Sequence, residues 1–474
     1  MYQTPSEYKV VFNHPRPRFK NDLENVLVYM ASEISKIPSM NRDDFAEQLN
    51  QAVRRYPGNS EIDDDTMNNW RTEISALLGF VEHNGDIDSC GLRAYELAES
   101  GDLIKFFKTF LYTFQYPGAY QKNYKIKPLI KVGIRFKPAK HILQTLQFAE
   151  KQTGNREYIT KAEVCHMLFN DLRVVRDNEP VDMVWERISQ NRVNNVRYDS
   201  RGDVIRSAGD IIDYMVIANL LITYDNKRYY INTLENESVH KFVNSNEWFD
   251  GYDNLIEKCL FDPNYEPEYS DINAQYDNWF SYVNRNLNDT DFSTDIVAFL
   301  SSESDMAEDV AISDSQKYFK QLLESGADIP TKEIGDFGES LVLAHECARL
   351  RAEGADNVIH LVKRMPTSLA LGYDINSREV DERHRYIEVK TTLSSKPIQL
   401  YRFHLTRNEW NAAETNRGQY FVYRLMVSKE EIKLFVISDP VGLYKKDVVN
   451  MIPTDGADIA FRPDTAGNYE ELMS

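Results

Sequence analysis

Two short segments in the last quarter of the chain place charged side chains inside runs of apolar residues. Asp374 interrupts one run, Gly372–Ile375, while Glu388 and Lys390 flank a single valine in the other, Ile387–Thr392. Alternate residues of a strand point to the same face, so Glu388 and Lys390 should share a face, and Asp374 joins them if the two strands pair. Two carboxylates and one ammonium at one spot are the minimum needed to hold a divalent metal and activate a water for phosphodiester hydrolysis.

The same pattern also fits an ordinary protein surface. A Glu and a Lys two residues apart on a strand usually form a solvated pair that contributes about 0–1 kcal/mol. The neighbouring residues favour the interior instead, because aliphatic or aromatic side chains surround both Asp374 and Glu388. A buried carboxylate without a partner is costly, so the two acids are expected to share a metal or another cation.

A third acid precedes these strands on a predicted helix. Residues 335–350 repeat apolar side chains at spacings of four, three and four, which predicts one buried helix face. The members of this stripe are Phe337, Leu341, Ala344 and Ala348. Glu339 lies off the stripe in the expected first turn, where it is either an acid favoured by the helix dipole or a third ligand of the metal.

The order of these motifs resembles that of the PD-(D/E)XK nuclease superfamily: a helix with Glu, a strand, a strand with Asp and a strand with Glu-x-Lys. Four segments narrow the resemblance to the nuclease-like domain of the NO VEIN C-terminal family, which is common in bacterial defence proteins. These segments are Gly372–Ile375, Glu388–Thr392, Phe403–Trp410 and Tyr420–Arg424. The resemblance covers about residues 330–445 and implies an α/β nuclease domain with a mixed central sheet.

The resemblance also implies roles for individual residues. Glu339, Asp374 and Glu388 would hold the metal and Lys390 would position or activate the water, so all four are candidate catalytic residues. Magnesium is the expected cofactor because it is a hard cation that takes oxygen ligands, and manganese is expected to substitute for it. The chain departs from the family pattern in having Tyr373 rather than proline before the aspartate, which is a common variation.

The overall charge points away from nucleic acid, but its distribution does not. The 474-residue chain has a formal net charge of −19, which is unusual for a DNA-binding protein. Residues 117–140, the basic segment, nevertheless contain seven cations and no acid. The cations are Lys122, Lys125, Lys127, Lys131, Arg135, Lys137 and Lys140. The basic segment is either a solvated loop between helices or, as we expect for the first six cations, a stretch that contacts DNA phosphates.

The N-terminal half shows the same predicted outline twice, namely two helices followed by a hairpin, as in a winged helix-turn-helix. The segments are helices at 43–55 and 66–81 with a turn at 83–86, and then a capped helix start at 160–163, a helix at 204–215 and a strand, turn and strand over 220–232. Such a unit usually inserts one helix into the major groove. Winged helices also mediate protein contacts, so the outline alone leaves the partner open.

Five side chains in these regions are candidate base readers, because amide and guanidinium groups can make bidentate contacts with base edges. They are Asn68, Asn69, Arg71, Arg201 and Arg206. Residues from about 60 to 235 also resemble the recognition half of AlwI-like type IIS restriction endonucleases, on the short motifs Phe114–Pro117 and Ile126–Leu129. That resemblance implies a sequence-reading module joined to a separate cleavage module.

We therefore predict a multidomain α+β protein with four segments: a winged-helix-like recognition module (1–115), the basic segment with a second winged-helix-like module (116–235), a helical connector (236–330) and a nuclease domain (331–474). No apolar run approaches the ~20 residues that span a bilayer. Four scattered cysteines fit neither a zinc spacing nor a disulfide framework, so a cytoplasmic protein is expected. No Walker loop occurs, so no nucleotide cofactor is expected.

The leading hypothesis is a metal-dependent, sequence-specific endonuclease of restriction type that hydrolyses phosphodiester bonds in double-stranded DNA. One active site cuts one strand, so double-strand cleavage would need a homodimer. Two alternatives remain open. One is a modification-dependent restriction nuclease, and the other is a DNA-binding component of a defence complex without cleavage activity of its own.

Overall fold

The computed structural model describes residues 4–11, 23–199, 203–287, 290, 292–301, 334–366, 371–399, 401–454 and 456–473. The chain divides into two compact units. The first comprises Met1–Glu99 and Leu103–Phe292, and the second comprises Ser100–Asp102 and Ser293–Ser474. The first unit thus takes in both predicted recognition modules, apart from residues 100–102, and more than half of the predicted connector. The finer division into four segments stays a prediction.

The first unit is mainly helical, and its described residues form two small antiparallel sheets, ordered β1-β3-β2 and β4-β6-β5. The strands are β1 (Met40–Asn41), β2 (Val81–Asn84), β3 (Ile87–Cys90), β4 (Tyr158–Ile159), β5 (Leu221–Thr223) and β6 (Tyr229–Ile231). The helices are Leu23–Ile34, Arg42–Arg55, Asp64–Thr72, Leu92–Ser100, Leu103–Thr113, Asn123–Lys131, Pro138–Thr153, Lys161–Glu163, Leu172–Val175, Val181–Val193, Asp203–Ile217, Asn236–Val243, Asp253–Phe261, Tyr269–Asn273 and Tyr276–Asn284. The hairpin predicted over 220–232 is present as β5 and β6, whereas the winged-helix topology stays a prediction.

Two predicted helix starts are confirmed by their caps. The first predicted helix is Arg42–Arg55, and the Asn41 side chain accepts a hydrogen bond from the Asp44 N–H at 3.0 Å. Thr160 and Glu163 form the predicted capping box, in which the Thr160 N–H donates to the Glu163 carboxylate at 2.8 Å. Such caps satisfy groups at a helix start that would otherwise lack a partner.

The helix predicted over 66–81 is wrong at its end. It begins as Asp64–Thr72, continues as the π-helical turn Glu73–Leu77 and stops there. The apolar spacing runs on past this point, but Val81 opens β2, and the backbone then pairs with β3 instead of continuing the helix. Apolar repetition alone does not separate a helix from the buried strand that follows it.

The second unit contains a six-stranded mixed sheet, ordered β15-β12-β11-β9-β8-β7, and a three-stranded sheet, ordered β10-β14-β13, among the described residues. The strands are β7 (Lys363–Arg364), β8 (Ile375–Arg378), β9 (His384–Leu393), β10 (Arg402–Thr406), β11 (Tyr420–Val427), β12 (Ile432–Ser438), β13 (Val449–Thr454), β14 (Gly456–Phe461) and β15 (Asn468–Glu470). The helices are Ile296–Ser301, Ile334–Ala352, Arg407–Asn416, Pro440–Lys445 and Pro463–Ala466. The prediction of a mixed α+β protein with a mixed C-terminal sheet is confirmed.

The centre of the larger sheet is the parallel pair β9 and β11. All eight residues of β11 are buried, as expected for a strand that is covered on both faces. Parallel neighbours need a crossover connection, and here β10 and the helix Arg407–Asn416 lie between them in the sequence. This connection places β11 on the edge of β9 opposite to β8.

The long helix Ile334–Ala352 buries only part of the stripe predicted for it. Phe337 and Leu341 are buried, whereas the two alanines of the stripe are only partly so. The helix instead turns a charged residue, Glu346, into the interior. The apolar stripe does not anticipate this buried charge, because Glu346 lies off the stripe and takes its partners from the sheet.

The prediction that Glu339 lies in the first turn of this helix is also wrong. Glu339 is the sixth residue of Ile334–Ala352, and the acid of the first turn is Asp336. The field of the helix dipole falls off within the first turn. The dipole is therefore a poor explanation for an acid at position 339.

Glu346 is completely buried and organises a polar network between helix and sheet. Its carboxylate accepts hydrogen bonds from Arg349 at 2.8 and 3.1 Å, from Ser377 of β8 at 2.7 Å and from the Tyr423 hydroxyl of β11 at 2.6 Å. Arg385 of β9 lies 3.4 Å away. Burial alone would raise the pKa of Glu346, but the two arginines hold it below its ordinary value. Three strands and one helix are thus tied to a single charged group.

Two further features of the structure concern membrane-crossing helices and the state of the cysteines. Among the described residues, no helix combines the length and the apolar character needed to cross a membrane. All four cysteines are free, so none takes part in a disulfide bond.

Candidate active site

Glu388 and Lys390 lie on one face of β9, as alternate residues of a strand should. The Lys390 ammonium is 2.7 Å from a carboxylate oxygen of Glu388, and Glu388 is only 4% exposed. Both edges of β9 are covered, by β8 and β11. The pair therefore belongs to the interior of the sheet, and the interpretation of the Glu-x-Lys pattern as a solvated surface pair does not fit it.

Asp374 reaches the same place from the residue before β8. The antiparallel register sets Ile375 opposite Ile387, and the Asp374 N–H donates to the Ile387 carbonyl at 2.9 Å. The Asp374 side chain accepts a hydrogen bond from the Val389 N–H at 2.8 Å. Asp374 therefore lies beside Glu388 with one of its carboxylate oxygens already engaged.

Glu339 approaches from the other face of the sheet. Its helix packs on β9 at Gly338, where an added Cβ would collide with the Thr391 side chain, so only glycine permits this approach. Thr391 and Lys390 are adjacent in the strand, and their side chains consequently point to opposite faces. Glu388 and Lys390 therefore lie together on one face of β9, whereas Glu339 lies at the margin of the candidate site.

Asp374 links Glu339 to the other acids. Burial, and after it the negative charge of Asp374, raises the pKa of Glu339 to about 7. Glu339 also forms an ion pair with Arg364 of β7, which pairs with Asp336 as well. Sequence reasoning missed Arg364, because no local pattern marks a cation in a two-residue strand as the partner of a distant helix.

Glu409 is the second residue that sequence reasoning missed. It lies in the first turn of Arg407–Asn416, and its carboxylate is 2.9 Å from the Lys390 ammonium. A signal was available, since Thr406 and Glu409 have the Thr-x-x-Glu spacing of a capping box. The structure contains that box.

Gly372 allows this helix to lie next to Asp374. Its φ of +75° is in the left-handed region, and an added Cβ would collide with the backbone carbonyl of Asn408. The Tyr420 hydroxyl donates to the Gly372 carbonyl at 2.9 Å. The first residue of β11 thereby fixes the turn that delivers Asp374 to the site.

The acids of the site differ in how well their charge is balanced. Burial raises the pKa of Glu388 well above its ordinary value, and Asp374 and Glu409 add to this against the opposing effect of Lys390. Burial also raises the pKa of Asp374. Burial would likewise raise the pKa of Glu409, but Lys390 holds it below its ordinary value.

Lys390 is therefore a fixed positive charge. Burial alone would lower the pKa of Lys390, but Glu388 and Glu409 outweigh it and raise that pKa. One ammonium is shared between two carboxylates, and Glu409 keeps its charge. Glu388 and Asp374 are left with more negative charge than the neighbouring cations balance.

A divalent cation would relieve this surplus, because opposite charge favours the ionised form of a buried carboxylate. Carboxylate oxygens are ligands that magnesium and manganese prefer, so Asp374, Glu388 and Glu339 suit such an ion in kind. Within the described residues, no three His, Cys, Asp or Glu side chains are already grouped closely enough to hold a metal. Each of the three carboxylates is engaged through one oxygen, with an N–H, ammonium or guanidinium group, and its other oxygen would be the one to bind a metal.

Four of the five predicted base readers lie on helices of the first unit. Asn68 and Asn69 are exposed, and Arg71 is partly buried and donates a hydrogen bond to Asn68. Arg206 is exposed, and Arg201 lies outside the described residues. Their role as base readers stays a prediction.

About half of the basic segment is helical, in Asn123–Lys131 and at the start of Pro138–Thr153. Three of its cations are paired with acids of the same unit. Lys127 at 3.5 Å and Lys131 pair with Glu266, and Arg135 pairs with Asp253 at 2.7 Å. The sequence pattern predicted that these three cations contact DNA phosphates, but acids of the protein already pair with them.

Lys137 does not fit its predicted role as a DNA contact. Its side chain is buried and donates to the carbonyls of Tyr112 at 2.6 Å and Glu247 at 2.8 Å, so its charge is committed to the interior. Lys122 is exposed and Lys125 is partly exposed, and neither forms an ion pair in the described part of the chain. The hypothesis of phosphate contacts therefore rests on these two lysines.

Comparison with known families assigns the two parts of the chain separately. Residues 2–280 match the family described as restriction endonuclease BpuJI, N terminal. This match spans more than half of the chain, and the chain belongs to that family. Residues 338–437 match the family described as protein NO VEIN, C-terminal, and this range contains all four candidate catalytic residues. Both resemblances expected from the sequence motifs, to a restriction-endonuclease recognition module and to the NO VEIN domain, are confirmed.

The other comparisons add a structural neighbour. The chain is similar to a solved structure described as pyrene- and phenanthrene-modified DNA in complex with the BpuJ1 endonuclease binding domain. The two are 21% identical, the similarity covers 59% of this chain and 99% of that chain, and the TM-score is 0.49. No curated protein matches the chain.

Proposed function

We propose that the protein is a metal-dependent, sequence-specific DNA endonuclease of restriction type, in which the first unit recognises double-stranded DNA and the second hydrolyses it. The observation that carries the proposal is the buried cluster of Asp374, Glu388 and Lys390, in which Lys390 lies 2.7 Å from Glu388, and burial and the neighbouring carboxylates raise the pKa of both acids. Such a cluster is unfavourable in a protein interior unless it serves a cation. Membership in a restriction endonuclease family supports the choice of DNA as the substrate.

Each residue of the cluster has a task in this proposal. Asp374 and Glu388 would hold magnesium, with Glu339 as a third carboxylate within reach of the charge of Asp374. Bound magnesium supplies a Lewis acid that polarises the phosphoryl oxygen. Lys390 keeps its proton, since two carboxylates raise its pKa, so it acts as a hydrogen-bond donor and a positive charge that stabilises the pentavalent phosphate. We do not assign it the role of general base.

Digestion of a defined plasmid with magnesium, followed by sequencing of the ends, tests the proposal. The expected result is a set of ends at a fixed offset from one short sequence, formed with magnesium or manganese and abolished by chelation with EDTA. A single active site cuts one strand, so ends on both strands would indicate two copies acting together. Tight DNA binding without cleavage under any of these metals would contradict the proposal.

The two lysines of the basic segment without an ion pair are expected to bind phosphates. Replacing Lys122 and Lys125 together with Ala should weaken DNA binding for all sequences. It should also reduce the slope of log affinity against log salt by roughly 0.9 for each phosphate that is no longer neutralised. Fluorescence anisotropy over a range of salt concentrations measures this slope. The matched control is Lys151→Ala, which changes an exposed lysine outside the segment. An unchanged slope in the double variant would show that these lysines do not contact DNA phosphates.

A further inference from the structure

Lys390 is held by two carboxylates that come from different elements. Glu388, on the same strand, is 2.7 Å from the ammonium, and Glu409, on the helix Arg407–Asn416, is 2.9 Å from it. A lysine side chain has a long flexible stem, and a single ion pair fixes its head weakly. Two anchors from two directions define one position for the ammonium.

Glu409 is itself held rigidly. The Thr406 N–H donates to the Glu409 carboxylate at 2.9 Å, and the Thr406 hydroxyl accepts a hydrogen bond from the Glu409 N–H at 3.4 Å. This capping box fixes the carboxylate at the start of the helix. The group that receives Lys390 is thus part of the fold and does not depend on a mobile side chain.

The two carboxylates differ in whether they keep their attraction for Lys390 once a metal is bound. Glu388 is a proposed metal ligand, and a divalent cation at its carboxylate would offset the negative charge that attracts the Lys390 ammonium. Glu409 is engaged by Thr406 and Lys390 only, among the contacts that the structure describes for its carboxylate. Glu409 therefore keeps its full attraction for the ammonium when a cation binds at Glu388.

We propose that Glu409 is a positioning residue for DNA cleavage: from the helix Arg407–Asn416 it holds Lys390 at the reacting phosphate while Glu388 binds the metal. This inference rests on the proposed nuclease function and adds a residue to its machinery. Its action is indirect, since the carboxylate touches Lys390 and not the substrate.

The test uses Glu409→Gln in the full chain. Gln also satisfies a capping box at this position, so the substitution removes the charge and keeps the helix start. The matched control is Glu414→Gln, which changes an exposed residue of the same helix. Thr406→Ala serves as a second variant, because it weakens the cap and leaves the Glu409 charge in place.

Two readouts separate positioning from stability. The first is the rate at which limiting acetic anhydride modifies Lys390, measured by peptide mass spectrometry relative to the exposed Lys446. The second is single-turnover cleavage of DNA, with the DNA dissociation constant measured separately. In Glu409→Gln we expect modification of Lys390 to rise about fivefold or more as one ion pair is removed. Cleavage should fall about 10- to 100-fold, and the dissociation constant should be unchanged. Glu414→Gln should match the wild type in every readout.

Several results would overturn the inference. Unchanged modification of Lys390 in Glu409→Gln would mean that Glu409 does not hold it. Faster modification with wild-type cleavage would mean that this hold is not used in the reaction. An equal loss of cleavage in Thr406→Ala, without faster modification of Lys390, would reduce Glu409 to a capping role. If the wild-type protein cleaves no DNA, the nuclease proposal fails and the inference fails with it, while the modification rates still report whether Glu409 holds Lys390.

Discussion

Replacing Asp374 with Asn is expected to reduce magnesium-dependent DNA cleavage by roughly a thousandfold, the scale at which loss of one central electrostatic group acts. Asn has the shape of Asp and retains an oxygen that accepts the Val389 N–H, which Asp374 binds at 2.8 Å. The substitution thus removes the charge and leaves the local fold intact. Single-turnover cleavage at saturating protein measures the loss, and the DNA dissociation constant should stay at its wild-type value.

Asp381→Asn is the control for this substitution. Asp381 lies in the same unit, is exposed and pairs with Arg383 at 2.7 Å, so its loss should leave cleavage unchanged. Cleavage at the wild-type rate by Asp374→Asn would exclude the proposed site. A parallel loss in both variants would point to a general effect of charge on DNA binding.

Replacing Glu346 with Ala is expected to destabilise the second unit by about 3–5 kcal/mol, because removing one partner of a buried ion pair leaves positive charge that the remaining, partly exposed carboxylates compensate only in part. Arg349 and Arg385 would both lose the carboxylate that they share. Ser377 and Tyr423 would each lose an acceptor. Hydrogen exchange of the β11 amides, measured at increasing urea concentrations, reports the free energy of unfolding of this unit specifically.

Glu353→Ala provides the comparison for the buried network. Glu353 also pairs with Arg349, at 2.9 Å, but its side chain is 41% exposed. An exposed ion pair contributes less than about 1 kcal/mol. If Glu346→Ala were no more destabilising than Glu353→Ala, the buried network would not be what holds the helix Ile334–Ala352 on the sheet.

The core of the site was predictable from the sequence because it depends on two local rules. Alternation along β9 places Glu388 beside Lys390, and a run of apolar residues around Asp374 places it next to a neighbouring strand, immediately before β8. Both rules act over a few residues. The same is true of the capping box at Thr160, which a fixed spacing identifies without knowledge of the tertiary structure.

The parts that were missed depend on which surfaces meet. Arg364 comes to Glu339 through the packing of a helix on a sheet edge, and Glu346 is buried because three strands supply its partners. Lys137 carries the charge of a DNA contact but is enclosed by the fold, where backbone carbonyls take its hydrogen bonds. A single sequence does not reveal such long-range pairing. Glu409 is an intermediate case, because the spacing of its capping box can be recognised in the sequence, whereas its contact with Lys390 cannot.

The measurement that tests the central claim most directly is digestion of one plasmid by the wild-type protein and by Asp374→Asn, side by side, with magnesium and with EDTA. The claim predicts defined fragments only for the wild type with magnesium, while both proteins bind the DNA equally. Fragments from the variant, or from the wild type in EDTA, would show that hydrolysis does not depend on a cation held by Asp374 and Glu388.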